Sequence, residues 1–238
     1  MKIRIKFAKS GAIRFVGHLD VMRYFQKAIR RAGIDVAYSG GFSPHQIMSF
    51  AAPLGVGLTS HGEYMDIEVV SAASASELKD SLNNAMVPGM EIVSVTKLPD
   101  DAMNAMASVA AAKYTVRFRE GYEPDFDWET QTAAFYARPS IPVTKKTKKS
   151  EVEMDIKPSI YALESVKDEN GQGVIRMMVD ASSSGNIKPG LVIEAFLAEN
   201  GSTLSDFALE ITREDTFTNA GTEDEPVFIS LDAVGNEF

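Results

Sequence analysis

The sequence contains no cysteine, and this absence removes several kinds of chemistry at once. Disulfide bonds, iron–sulfur ligation, thiolate zinc sites and cysteine nucleophiles all need a sulfur atom that the chain does not have. Whatever chemistry surrounds the protein, the chain itself does not hold such a cluster. We therefore expect no cofactor bound by this chain itself.

The sequence also lacks long apolar runs, since none approaches the roughly 18 to 20 residues needed to cross a bilayer. The amino-terminal segment from Lys2 to Phe7 alternates basic and apolar residues, whereas a signal peptide needs a continuous apolar stretch. With 238 residues, 45% of them hydrophobic, the chain can bury one or two cores. These features predict a soluble, cytoplasmic protein with no membrane partner.

The net charge of −9 is distributed unevenly along the chain. Residues 1–32 carry nine lysines and arginines against one acid, Asp20, while residues 150–238 carry five basic and eighteen acidic side chains. A local basic surface can attract an anionic partner such as RNA even on an acidic protein. Solvated charges without a partner explain the same asymmetry.

Hydrophobic periodicity in the first half predicts the order strand, helix, strand, strand, helix, strand. Leu19, Met22, Phe25, Ile29 and Ala32 make an apolar stripe at helical spacing. The predicted strands cover residues 2–7, 34–38 with 47–51, 63–70 and 91–97, and the predicted helices cover 18–32 and 76–86. This order is typical of a ferredoxin-like domain.

A similar order is predicted in the second half, with a strand at 114–119, a helix at 127–138 and extended segments at 151–156, 174–180, 191–197 and 207–213. We therefore predict an α+β protein of two tandem ferredoxin-like (βαββαβ) domains with antiparallel sheets. The predicted domains are residues 1–99 and 113–218, joined by a linker at 100–112. An acidic tail, 219–238, is expected to be loose or docked in part.

In ferredoxin-like order the first strand lies beside the third, so that Lys2, Arg4 and Lys6 share a face with Tyr64, Asp66 and Glu68. Opposite charges on neighbouring strands pair with one another. The same basic side chains are also the pattern of an RNA-binding sheet, but the strands lack the stacked aromatic residues of such a platform. Cross-strand pairing is the prediction.

Two sets of basic residues are candidate anion-binding groups. Arg23, Lys27, Arg30 and Arg31 project from the predicted first helix at spacings that form a ridge, which suits phosphates but also suits a solvated face. Lys145, Lys146, Lys148 and Lys149 lie in a polar segment that is either a phosphate clamp or a solvated hairpin whose lysines guard a strand edge.

The segment Ser39-Gly40-Gly41-Phe42-Ser43-Pro44-His45 is the most distinctive loop. Adjacent glycines let backbone N–H groups converge on an anion, although the spacing of a phosphate-binding loop is missing and a plain turn between strands fits as well. The histidines, His18, His45 and His61, have no zinc-site spacing. We therefore predict no metal site, and no nucleophile–base pair is evident.

Several of these motifs resemble the signature of a bacterial family called radical SAM-linked proteins. The resemblance rests on residues 17–23, 30–33, 38–45, 49–57, 63–68 and 155–158 and on the lysines of 144–149. It implies an accessory role beside a radical S-adenosylmethionine (radical SAM) enzyme, which is the implied partner. The first half also looks like the ferredoxin-like modules of repeat-associated RNA-processing proteins, which makes RNA a second implied partner.

The resulting hypothesis is a non-catalytic accessory protein that presents a substrate, RNA, to a radical SAM enzyme. A shared pocket rim is predicted from His18, Asp20, Arg23, Ser39, Gly40, Gly41, Phe42, Ser43, Pro44 and His45. The alternatives are a metal-independent RNA-cleaving or RNA-binding protein, with His18 or His45 as general acid or base, and a module that binds only protein. Whether the chain has enzymatic activity of its own stays open.

Overall fold

A computed structural model describes residues 1–72, 74–146 and 151–238, with only the backbone of 145, 146, 151 and 152. In chain order the strands and helices are β1 (Lys2–Lys9), α1 (His18–Arg31), β2 (Met48–Phe50), β3 (Thr59–Glu68), α2 (Ala75–Asn84), β4 (Met90–Lys97), α3 (Ala105–Ser108), β5 (Ala111–Phe118), α4 (Trp128–Tyr136), β6 (Pro142–Lys146), β7 (Glu151–Asp155), β8 (Ile160–Lys167), β9 (Gly173–Asp180), α5 (Pro189–Glu199), β10 (Leu209–Asn219) and β11 (Phe228–Ser230). The chain is thus an α+β protein with a large, mostly antiparallel sheet.

The chain forms two compact units, one of Met1–Ala110 with Arg213–Phe238 and the other of Ala111–Thr212. The sequence predicted domain boundaries at residues 99, 113 and 218, whereas the units divide at 110 and 212, the latter within β10. The carboxy-terminal segment belongs to the first unit, because β11 pairs with β10 and the Leu231 side chain is fully buried. The tail is therefore docked from residue 228 onward.

In the first unit, β1 lies between β4 and β3, and β2 pairs with the other edge of β3, all antiparallel. The register places Lys2 opposite Glu68, Arg4 opposite Asp66 and Lys6 opposite Tyr64. This confirms the predicted pairing of the first and third strands. Ile3, Ile5 and Phe7 alternate with these residues and are buried, so this face of β1 belongs to the core.

Helix α1 packs on that core through Val21, Phe25, Ala28 and Ile29. The predicted stripe was wrong at its start, because Leu19 is 60% exposed and the buried face begins at Val21. Positions 21, 25, 28 and 29 follow the helical period as well as the predicted set does, so the pattern alone did not select between two overlapping stripes.

In the second unit, β9 lies between β5 and β8 with antiparallel pairing, and β6 and β7 form a separate hairpin. The predicted extended segment at 191–197 was wrong, because these residues belong to α5. Pro189 opens that helix, and Val192, Ile193, Phe196 and Leu197 are buried at helical spacing. A short, almost wholly apolar run does not reveal its period, which explains the error.

Candidate functional site

Three basic side chains of β1 are held by acceptors inside the first unit. Arg4 is fully buried, and its Nε and Nη2 donate to the Asp66 carboxylate at 2.8 and 3.0 Å. Lys6 Nζ donates to Asp215 Oδ2 at 2.8 Å. Lys9 Nζ donates to the carbonyl oxygen of Val16 at 2.7 Å. The basic character of residues 1–32 is therefore only partly available to a partner.

The sheet face that carries Arg4 is covered rather than open. Arg4 Nη1 donates to the Leu231 carbonyl at 3.1 Å, and its Nη2 lies 3.3 Å from the Met103 carbonyl and 3.4 Å from Ser108 Oγ. On the same face, Tyr64 Oη donates to Asp215 Oδ1 at 2.6 Å. The carboxy-terminal segment and the residues around α3 thus occupy the face that an RNA platform would need.

The opposite face ends in a cluster of buried charges at the end of β1 and the start of β3. Arg213 Nη1 donates to both oxygens of Glu63 at 3.0 Å and to the Ala52 carbonyl at 2.9 Å. Burial raises the pKa of Glu63, and the Arg213 charge offsets part of that rise. Burial also lowers the pKa of Lys9, against the opposing effect of Glu63. Such a cluster of perturbed groups is a candidate functional site.

His18, the first residue of α1, lies at this cluster with its ring 5.2 Å from that of Phe50 in an edge-on contact. It lines a cavity of about 20 Å³ together with Lys9 and Glu63, which is room for one water molecule. Desolvation, and then the Lys9 charge, hold the pKa of His18 below its ordinary value of 6.5. The imidazole is therefore mostly neutral at pH 7 and has the protonation state of a general base.

A second candidate surface is the exposed side of α1, which we call the basic face and define as Arg23, Lys27 and Arg30. All three side chains are exposed. Arg23 forms an exposed ion pair with Asp20 at 3.1 Å, which contributes little to stability and competes weakly with a phosphate. Arg31 belongs elsewhere, because its Nη2 donates to the Ala85 carbonyl at 2.9 Å.

The loop of residues 39–45, which we call the edge loop, is closed by contacts between its first and last residues. The Ser39 N–H donates to the His45 carbonyl at 2.8 Å, and Ser39 Oγ lies 2.8 Å from His45 Nδ1. Gly41 has a φ of 99°, a conformation that favours glycine. Phe42 at the tip is fully exposed. The Ser–His contacts hold the loop, so they account for His45 without a catalytic role.

Two contacts show where the edge loop and His18 lie along α1. Gln46, directly after the loop, donates from Nε2 to the Gln26 carbonyl at 3.2 Å, whereas Phe50 contacts His18. Gln46 and Phe50 are four positions apart in extended chain, or about 13 Å. The predicted pocket rim is therefore split, with His18 at the cavity and the edge loop, which contains Gly40 to Pro44, leading into the contact with Gln26 on the part of α1 that carries the basic face.

Sequence reasoning missed Lys9, Glu63 and Arg213 as members of a site. Alternation did contain a signal for two of them, because Lys9 continues the series Ile3, Ile5 and Phe7, and Glu63 opens the series Met65, Ile67 and Val69. A charged residue in phase with a buried face indicates a buried ion pair or a site. Arg213, 150 positions from Glu63, has no local signal.

The lysine segment gives no geometry for a site. Lys148 and Lys149 lie outside the described residues, and only the backbone of Lys145 and Lys146 in β6 is described. Over the described ranges, no three histidine, aspartate or glutamate side chains group closely enough to hold a metal ion. In the same part of the chain, no helix is long and apolar enough to cross a membrane.

Comparison with known proteins gives a family and a distant structural likeness. No curated protein matches the chain. A chain of the crystal structure of a Cbf5-Nop10-Gar1 complex is 10% identical, with a TM-score of 0.49; the match covers 90% of this chain and 48% of that one, about half its length. A family model described as an uncharacterized protein conserved in bacteria (DUF2344) matches residues 2–189, and the chain belongs to that family.

Proposed function

We propose that the protein is a non-catalytic accessory protein of the cytoplasm that binds RNA and presents it to a radical SAM enzyme. The enzyme partner comes from the sequence resemblance, and the RNA-binding surface comes from the first unit. The observation that carries the proposal is the placement of the edge loop beside the basic face through the contact between Gln46 and Gln26.

This surface combines the two features that single-stranded nucleic acids need. Arg23, Lys27 and Arg30 are exposed at successive turns of α1 and supply positive charge to phosphates. Phe42 offers both faces of its ring to solvent, and aromatic rings of this kind stack on bases of any identity. Exposed N–H groups of the glycine-containing loop add neutral donors for phosphate oxygens.

The rest of the first unit favours this surface over the sheet. Arg4 and Lys6, which would face RNA on an open sheet, are already paired with Asp66 and Asp215. Withdrawing Arg4 from its buried pair would leave a charge without a partner, which costs about 3–5 kcal/mol. A phosphate therefore binds the exposed side chains of α1 at much lower cost.

We propose the fold as well: strand order supports two tandem ferredoxin-like domains. In the first unit the order is β4-β1-β3-β2, and in the second β9 lies between β5 and β8, with β6 and β7 as an inserted hairpin. The first order is the one expected of a βαββαβ domain, and the second agrees with the same order for its first three strands. Such a domain does not by itself specify RNA as a ligand, so the proposal depends on the surface.

Affinity capture of the tagged full chain from its own cell extract, with and without nuclease, tests both parts. Recovery of a cluster-bearing radical SAM protein that persists after nuclease treatment supports the accessory role. A defined RNA that is lost with Arg23→Ala/Lys27→Ala/Arg30→Ala supports RNA presentation. The control, Lys113→Ala/Arg176→Ala/Lys188→Ala, removes the same charge from exposed positions of the second unit. Recovery of neither partner would overturn the proposal.

One observation favours RNA cleavage as a second candidate function. His18 is only partly buried beside the cavity and has the protonation state of a general base. This candidate predicts cleavage of RNA without added metal and its loss in His18→Ala, while His45→Ala keeps activity. Equal cleavage by the parent and His18→Ala would exclude it.

A further inference from the structure

An exposed apolar surface lies where β1 leads into α1. Phe15, Leu19 and Val56 are each about 60% exposed, and Ala12 and Pro53 are exposed as well. We call these five residues the apolar patch. The Gly57 N–H donates to the Arg14 carbonyl at 2.8 Å, so the loop that carries Val56 is tied to the turn that carries Phe15.

The exposure of these side chains is unusual because they concentrate in two short segments. Singly scattered apolar residues need no explanation, whereas grouped ones mark interaction surfaces. Leu19 is the clearest case, since it sits in the first turn of a helix whose buried face begins only at Val21. Neither candidate function described above uses Phe15, Leu19 or Val56.

Arg14 gives the patch a charge preference. Its guanidinium lies 4.9 Å from the centre of the Phe15 ring, and its side chain is only partly buried and forms no ion pair with the described residues. An arginine fork held in this way matches a carboxylate, which accepts two parallel N–H groups. Arginine beside an aromatic residue is also a common composition of protein interfaces.

We infer that the apolar patch docks a protein partner, through a segment in which apolar residues are flanked by aspartate or glutamate. The apolar side chains would cover Phe15, Leu19 and Val56, and a flanking carboxylate would pair with Arg14. RNA fits less well, because only one of the five patch residues has an aromatic ring on which a base can stack. The inference does not depend on the RNA proposal.

Selection from a phage-displayed library of random 16-residue peptides on the full chain tests this inference. The expected consensus has two or more large apolar residues flanked by acids. A synthetic consensus peptide should bind at least tenfold more weakly to Phe15→Ser/Leu19→Ser in fluorescence anisotropy, and more weakly to Arg14→Gln. Val70→Ser removes an equally exposed apolar residue from the same unit and should leave binding unchanged.

Arg23→Ala/Lys27→Ala/Arg30→Ala should also bind the consensus peptide normally, which separates this surface from the basic face. The inference would be overturned by a basic consensus, by no enrichment of peptides over the Phe15→Ser/Leu19→Ser protein, or by peptide binding that this double substitution does not weaken. Sedimentation velocity tests whether a second copy of the chain binds the apolar patch instead. Self-association that the same double substitution abolishes would assign the patch to a second copy of the chain and contradict docking of a different protein.

Discussion

The buried pair of Arg4 and Asp66 gives the sharpest stability prediction. Asp66→Asn keeps the shape of the side chain but removes the negative charge, so that the fully buried guanidinium of Arg4 loses its counterion. Removal of one partner of such a pair costs about 3–5 kcal/mol, which corresponds to a change of roughly 10² to 10⁴ in the unfolding equilibrium.

The remaining hydrogen bonds of Arg4 do not replace the carboxylate. They go to the neutral acceptors Leu231, Met103 and Ser108 at 3.1 to 3.4 Å. A double substitution, Arg4→Met/Asp66→Leu, removes both charges and should destabilise less than Asp66→Asn alone, because no buried charge is left unpaired. The comparison separates the cost of an orphaned charge from the cost of altered packing.

Hydrogen exchange with mass spectrometry is the suitable assay, since it reports opening at β1 directly. The single tryptophan, Trp128, lies in the second unit and serves there as an independent fluorescent probe during urea unfolding. Exchange at β1 should accelerate by at least 100-fold in Asp66→Asn. An acceleration below about threefold, or a double substitution worse than Asp66→Asn, would refute the reasoning.

Two further predictions concern His18 and the close backbone approach at Gly62. In an NMR titration, His18 should titrate below 6.5, and its contribution to stability should be lost as the pH falls below 6.5, because the unfolded chain then binds the proton more readily; a midpoint at or above 6.5 would contradict the burial of its ring. Gly62→Ala should destabilise the protein by about 1–3 kcal/mol in urea unfolding, because a Cβ there would lie 2.7 Å from Asp215 Cα and 2.8 Å from the Glu214 carbonyl. Gly190→Ala in α5 is the matched control, since its Cβ would meet nothing within 4 Å, and it should stabilise by up to about 1 kcal/mol; equal effects of the two substitutions would show that the crowding at Gly62 is absent.

Local patterns predicted the elements of the first unit well, for identifiable reasons. Strict alternation of basic and apolar residues fixed both faces of β1, and complementary charges fixed its register against β3. The same logic extends to Lys9 and Glu63, whose phase already placed them on the buried face. The count of basic residues in 1–32 overstates the basic surface, because it includes Lys9, which an internal acceptor holds, as well as Arg4 and Lys6, for which the sequence predicts pairing within the protein.

Tertiary contacts determine the features of the fold and of the site that local sequence patterns did not predict. The run at 191–197 is too uniformly apolar to show a period, and only packing on the second core makes it a helix. The contact of Gln46 with Gln26 and the ion pair of Glu63 with Arg213 each join segments with no local relation. The contacts of Gln46 with Gln26 and of Phe50 with His18 separate His18 from the edge loop, so a site predicted as one rim became two.

The most direct test of RNA binding by the basic face is the salt dependence of affinity for a fluorescein-labelled single-stranded RNA of mixed sequence. If Arg23, Lys27 and Arg30 each contact one phosphate, then Arg23→Ala/Lys27→Ala/Arg30→Ala should flatten the plot of log affinity against log salt by about 2, at roughly 0.7 per contact. The control Lys113→Ala/Arg176→Ala/Lys188→Ala should keep the parent's slope. Equal slopes for the parent and the basic-face variant, or no measurable binding by the parent, would contradict the account.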